Sequence, residues 1–175
     1  AALIATDQPA QRLEATARAE FGRNPTGDFT LLPLISLIKG RRLRRIVGHA
    51  VADNVGEGAG IEDLWKRFFC VATNFSHARE MVLQRGDLLR SLLASIAIPG
   101  ALPPVIMDGD LLCDGGTFNN FPVDVMRARR GVGRVIGVDL NARHLRKLDN
   151  DEVPGTWALL LDRLASGNLS ARQIE

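Results

Sequence analysis

The chain has 175 residues, of which 46% are hydrophobic and 24% charged, enough for one globular domain with a core of its own. Its net charge of +2 is too small to argue for nucleic acid, and no apolar run approaches the roughly 18 residues of a membrane span. Its two cysteines, Cys70 and Cys113, sit in apolar strand-like runs, which suits buried free thiols in a reducing compartment. No signal peptide is visible at its start.

Ala1 to Thr6 read as the tail of a helix. Asp7 is placed to cap the next helix and Pro9 to sit in its first turn, with Ala10, Leu13, Ala17 and Phe21 recurring at helical spacing. Gly22 to Asp28 is a loop, and Leu31 to Ile38 reads as a short buried helix ended by Gly40. Leu43, Ile46, Val47, Ala50 and Val51 form the apolar stripe of a further helix, whose other face carries Arg41, Arg42 and Arg45. Val55 to Gly60 is a glycine-rich connection, and Ile61 to Lys66 starts a helical turn with Glu62 and Asp63 near its N-terminus.

The continuous apolar run Phe68 to Thr73 fits a strand covered on both faces, as in a parallel sheet. Arg79 to Gln84 is a second, shorter strand. Asp87 caps a helix bearing Leu88, Leu89, Leu92, Leu93 and Ile96, which Pro99 and Gly100 end. Val105 to Met107 and Leu111 to Cys113 flank Asp108-Gly109-Asp110, a hairpin signal. Pro122 opens a short helix to about Arg129, Val135 to Val138 read as a buried strand ending at Asp139, and Trp157 to Leu164 as a last helix. Strands alternating with helices, some strands wholly apolar, predict an α/β fold. Asp114 and Asp139 both follow apolar strands, and in such sheets functional groups gather at the carboxyl ends of strands.

Asp114 stands in Cys113-Asp114-Gly115-Gly116-Thr117-Phe118-Asn119-Asn120-Phe121-Pro122. Alone, Asp-Gly-Gly is a tight turn. As chemistry, a carboxylate at a strand end, partly buried against Cys113 and Phe118, is a base that can take the proton of a weakly nucleophilic hydroxyl, and the glycines leave room for an incoming ester. Ser95, in Ala94-Ser95-Ile96, has no flanking glycine and so forms no strained nucleophile elbow; lining or supporting the site suits it better. His49, His77 and His144 build no triad, and surface or capping roles fit them. There is no HExxH or CxxC, so zinc is not expected. Asp108-x-Asp110 with Asp114 has Leu112 where a calcium loop needs an oxygen ligand, and no closing glutamate. Gly56 to Gly60 lacks the strand and the lysine of a phosphate loop. Lys39, Arg41, Arg42, Arg44 and Arg45 form the densest basic run, either a solvated helix face or a surface for anionic headgroups. Arg127, Arg129, Arg130 and Arg134 form a second cluster open to the same two readings.

The segment around Asp114 resembles the catalytic-aspartate motif of the patatin-like phospholipases, in particular the bacterial and neuropathy target esterase branch. Further blocks resemble that family in the same order: Leu31-Leu32-Pro33-Leu34-Ile35-Ser36-Leu37 with Gly40-Arg41-Arg42; Ile61-Glu62-Asp63-Leu64-Trp65; Phe69-Cys70-Val71-Ala72-Thr73-Asn74; Leu93 to Gly100 with Pro103-Pro104; and Asn119 to Arg127. Phe121 stands where leucine is more usual. The resemblance spans roughly residues 30 to 165. It implies a patatin-like three-layer α/β arrangement with a mostly parallel sheet between helices, and ester hydrolysis by a serine paired with Asp114, without histidine. The serine belongs in a GxSxG turn, and neither that turn nor the glycine-rich oxyanion loop occurs in the chain. Residues 1–175 are therefore expected to form a single partial domain without its nucleophile, inactive by itself.

By the same resemblance, Gly115, Gly116, Asn119, Asn120, Ser95 and Pro99 support the site. The substrate is a phospholipid or lysophospholipid, and no metal or organic cofactor is needed. In the headgroup reading of the basic run, Arg41, Arg42, Arg44 and Arg45 would face an anionic membrane surface. The expected location is the cytoplasm or the cytoplasmic face of a membrane. The rival readings are a catalytically inactive lipid- or protein-binding module and a basic nucleic-acid-binding domain. The latter would need interleaved aromatics, and the chain has no tyrosine.

Overall fold

The computed structural model describes residues 1–22, 25, 27–30 and 36–139. The chain divides into two compact units, Ala1–Gly137 and Val138–Glu175, and the architecture below is that of the first. The expected helix Trp157 to Leu164, His144 and residues 31–35 lie outside the described residues.

Helices α1 (Ala2–Ala5), α2 (Ala10–Phe21), α3 (Arg41–Asn54), α4 (Leu88–Ser95) and α5 (Val123–Arg127) accompany strands β1 (Cys70–Asn74), β2 (Arg79–Leu83), β3 (Val105–Met107) and β4 (Asp110–Asp114). The strands form one sheet in the order β2-β1-β4-β3. Helix α4 packs directly on β1, β3 and β4, α3 packs on α4, and α1 and α2 pack on α3. The core, with Val47, Val51, Leu64, Ala72, Leu83, Leu88, Ala94 and Leu112, lies between these helices and one face of the sheet.

The class is α/β, but the expected parallel sheet is corrected: all three strand pairings are antiparallel. For two of the three pairings the physical reason is connection length. A parallel neighbour needs a crossover of a dozen or more residues, whereas β1 and β2 are joined by the turn Phe75 to Ala78, and β3 and β4 by Asp108-Gly109. Both residues of that second turn have positive φ, 51° and 86°, the conformation of a tight hairpin turn whose twist matches the strands. The apolar run through β1 reported burial correctly (Val71, Ala72, Thr73 and Asn74 are all buried), but burial carries no strand direction.

Three local expectations are also corrected. Asp7 does not cap α2: its φ is +58°, its carboxylate pairs with Lys66, and Pro9 is the capping residue, without a side-chain bond. Ser36 to Ile38 are not helical. Phe29 and Ile38 form an antiparallel bridge, and Leu37 N–H donates to Gly100 O at 3.0 Å, so this segment is held by pairing rather than by a helical turn. Val135 to Asp139 form no strand, and Ile136 is 85% exposed, so apolarity there does not reflect a place in the sheet.

Two helix starts set the geometry that follows. Asp87 Oδ1 accepts from Arg90 N–H at 2.8 Å and caps α4, satisfying an otherwise orphaned donor. Helix α3 begins after Gly40, whose φ is +71°, and its first amides are capped from a distance: Asp28 Oδ2 accepts from Arg41 N–H at 2.7 Å and Arg42 N–H at 3.2 Å.

Candidate active site

Asp114 is the last residue of β4, opposite Ala72 on β1. Its backbone is fixed on both sides. Its N–H donates to Ala97 O at 2.9 Å, and Thr73 Oγ1 donates to its carbonyl at 2.8 Å. Its side chain caps the 3-10 turn Gly115–Thr117, with Oδ1 accepting from Gly116 N–H at 2.8 Å. Among the described residues Oδ2 accepts no hydrogen bond, so one carboxylate oxygen is oriented by the turn while the other is left for a proton donor.

The glycines have distinct reasons. A Cβ on Gly115 would lie 2.2 Å from Val71 O, a backbone atom of β1, so the turn can pass under the sheet only without a side chain. A Cβ on Gly116 would lie 3.0 Å from Asn120 Oδ1 and 3.3 Å from Asp114 Oδ1, a tighter fit than ordinary contact. Asn119 N–H returns to Gly115 O at 2.8 Å. Asn119 Nδ2 donates to Glu80 Oε2 at 2.6 Å and to Asp124 Oδ1 at 2.9 Å. The Asn119 amide, and then the Val125 N–H, hold the exposed Asp124 carboxyl below its ordinary range.

These groups open onto a cavity of about 510 Å3. Asp114, Gly115, Gly116, Asn119, Asn120 and Ser95 form its polar wall, and the apolar remainder comes from α1, α3 and α4, including Leu3, Val47, Val51, Leu88 and Leu92, together with Phe68, Phe69 and Val71. A mostly apolar cavity with a few convergent polar groups is the usual form of a ligand site. Ser95 Oγ donates to Val71 O at 2.8 Å, which ties the end of α4 to β1. Cys70 also faces the cavity, and burial pushes its thiol from 9.0 up to about 11, partly offset by a hydrogen bond with Ser95. The buried Cys113 thiol is likewise raised, by burial first and by the neighbouring Asp114 charge second.

The sequence-predicted set is thus brought together except for Pro99, which is exposed in the loop after α4 and is not on the cavity wall. Phe118 is 53% exposed and does not line the cavity. Arg41, Arg42, Arg44 and Arg45 are exposed on α3; Arg41 and Arg44 border a separate cavity of about 180 Å3 with Lys39, Leu93 and Pro103. Glu80 was missed by sequence reasoning, because nothing in its own strand marks it and its partner lies 39 residues away. His77 lies apart from Asp114: its Nε2 is 3.1 Å from Asp110 Oδ1, at the opposite end of β4. Among the described residues no cluster of histidine, cysteine and carboxylates could hold a metal ion, and no helix is long and apolar enough to cross a membrane.

The patatin-like phospholipase family model matches residues 1–127, and the chain belongs to that family. Its relatives are proteins of the neuropathy target esterase group. The chain is 36% identical over 104 residues to Lysophospholipase NTE1 of Candida albicans, covering 58% of this chain and 7% of that protein. It is 38% identical over 119 residues to an uncharacterized NTE family protein of Mycobacterium tuberculosis, covering 68% and 19%. It is 33% identical over 168 residues to Patatin-like phospholipase domain-containing protein 6 of Homo sapiens, covering 90% and 12%. The chain therefore spans less than a fifth of the length of these relatives.

Proposed function

We propose that the chain supplies the aspartate half of a Ser-Asp dyad that hydrolyses phospholipid or lysophospholipid esters. The observation that carries this reading is the Asp114 carboxylate on the cavity wall, with Oδ1 held by Gly116 N–H and Oδ2 open. The serine and the oxyanion donors are assigned to residues preceding Ala1. That assignment is supported by the absence of GxSxG from the chain.

In the reaction, Asp114 Oδ2 takes the serine hydroxyl proton as the serine oxygen bonds to the ester carbonyl carbon. The tetrahedral oxyanion is held by backbone N–H groups. Its collapse breaks the bond to the alcohol oxygen, which takes the proton from Asp114. Water then repeats the sequence on the acyl-serine: Asp114 accepts its proton, the fatty acid leaves, and the serine is protonated again. Neither a metal nor an organic cofactor enters these steps. The exposed arginines of α3 hold the domain peripherally at an anionic surface, on the cytoplasmic face of a membrane.

The test is Asp114→Asn in the parent domain, which keeps size but removes the base. Turnover of a soluble ester should fall about 10,000-fold, the upper end of general-base contributions, with thermal unfolding little changed. Asp139→Asn and Asp124→Asn serve as controls, and the 175-residue chain alone should give no turnover. A folded Asp114→Asn variant that keeps most of its activity would sink the dyad. A parent domain without any esterase activity would leave the inactive lipid- or protein-binding module as the reading.

A further inference from the structure

Asn119 joins its own turn and the start of α5 to β2, which is distant in sequence. Its side-chain nitrogen donates to Glu80 on β2 and to Asp124 on α5, at 2.6 and 2.9 Å, and its own N–H closes the turn onto Gly115 O. A primary amide has two N–H protons, and here each goes to a carboxylate. The amide orientation is therefore fixed: turned end for end, it would set an oxygen against two carboxylates. Of the two acceptors, Asp124 lies only five residues along the chain and is exposed, while Glu80 is half-buried on another strand.

Glu80 stands opposite Thr73 on β1, the residue whose hydroxyl holds the Asp114 carbonyl. The Asp114 turn is thus anchored to β1 through Thr73 and, across β1, to β2 through Asn119 and Glu80. We infer that Glu80 is a positioning residue for the reaction proposed above, fixing the turn that orients the Asp114 carboxylate by way of Asn119. The inference rests on Asp114 being the base. Glu80 does not line the cavity, so its removal changes the orientation of the base and not the space for substrate. Its signature is a loss in kcat with KM retained.

The experiment compares Glu80→Ala, Glu80→Gln and Asn119→Asp in the parent domain, with Asp114→Asn as reference, by kcat and KM on a soluble ester and by thermal unfolding. Glu80→Ala should lower kcat about 100-fold, the scale of a misplacement of about 1 Å, with KM little changed. Glu80→Gln keeps an acceptor at the same reach and should restore most of kcat. Asn119→Asp puts a third carboxylate between two others and should lower kcat at least as far as Glu80→Ala. If Asp114→Asn abolishes turnover but folded Glu80→Ala or Asn119→Asp keeps the parental kcat, Glu80 does not position the base and the dyad stands. If Asp114→Asn retains activity, the dyad fails and the inference with it. Loss of kcat with Glu80→Ala that Glu80→Gln does not restore also overturns the inference. If Glu80→Ala does not fold, folded Asn119→Asp and the active Glu80→Gln decide the question by the same criteria.

Discussion

Gly115 is where the absence of a side chain has the largest consequence. Its Cβ position is 2.2 Å from the carbonyl oxygen of Val71, and a backbone atom in an inner strand cannot rotate aside as a side chain would. Gly115→Ala should therefore cost about 3 kcal/mol, the upper end of overpacking, measured by chemical unfolding, and should displace the Asp114 turn. Gly116→Ala presses instead on the Asn120 amide, which can move, so the smaller loss should be there; equal losses would show that the contact with β1 is not what constrains Gly115. At this scale the sequence was legible wherever the chemistry is local. Asp114, its glycines and its amides lie within seven consecutive positions, and a carboxylate capping its own turn is a property of neighbours in the chain. Glu80 was not legible, because its role exists only once β2 has paired with β1.

Among the elements, α4 connects the capping carboxylate of Asp87 to the cavity wall at Ser95. Asp87→Ala removes the acceptor for Arg90 N–H and should destabilise the protein by about 1 kcal/mol, read as a lower thermal midpoint. An unchanged midpoint would show that water satisfies that amide equally well. This helix, α3 and the β3–β4 hairpin were legible because caps, 3.6-residue periodicity and Asp-Gly turns are short-range signals. Strand direction was legible only at the Asp108-Gly109 hairpin: the apolar run through β1 predicts burial and says nothing of the direction of its neighbours. The segments Ser36 to Ile38 and Val135 to Asp139 misled for a related reason. Both are apolar without any local feature that says whether they pair, coil or stand in solvent.

For the whole molecule, the division between the two cavities matters most. The polar wall with Asp114 borders one, and Arg41 and Arg44 border the other. Among the described residues Lys39, Arg41, Arg42, Arg44 and Arg45 take part in no ion pair, and the nearby Asp28 carboxylate accepts from the helix amides instead. Replacing Arg41, Arg42, Arg44 and Arg45 with glutamine in the parent domain should weaken binding to anionic vesicles at low salt by about fivefold per residue, from about 1 kcal/mol each, and leave hydrolysis of a soluble ester largely intact. Vesicle binding equal to the parent's would return this helix face to simple solvation, and low salt is needed because screening hides such forces. The cavity around Asp114 has a further consequence. Asp114 on its polar wall ends an inner, doubly paired strand, while a large part of its apolar wall belongs to helices that share no backbone ladder with the sheet. Substitutions at Leu3, Val47 or Val51 can reshape the chamber without shifting β4, so preference for what enters it can drift between descendants of one ancestor while the Asp114 carboxylate stays where it is.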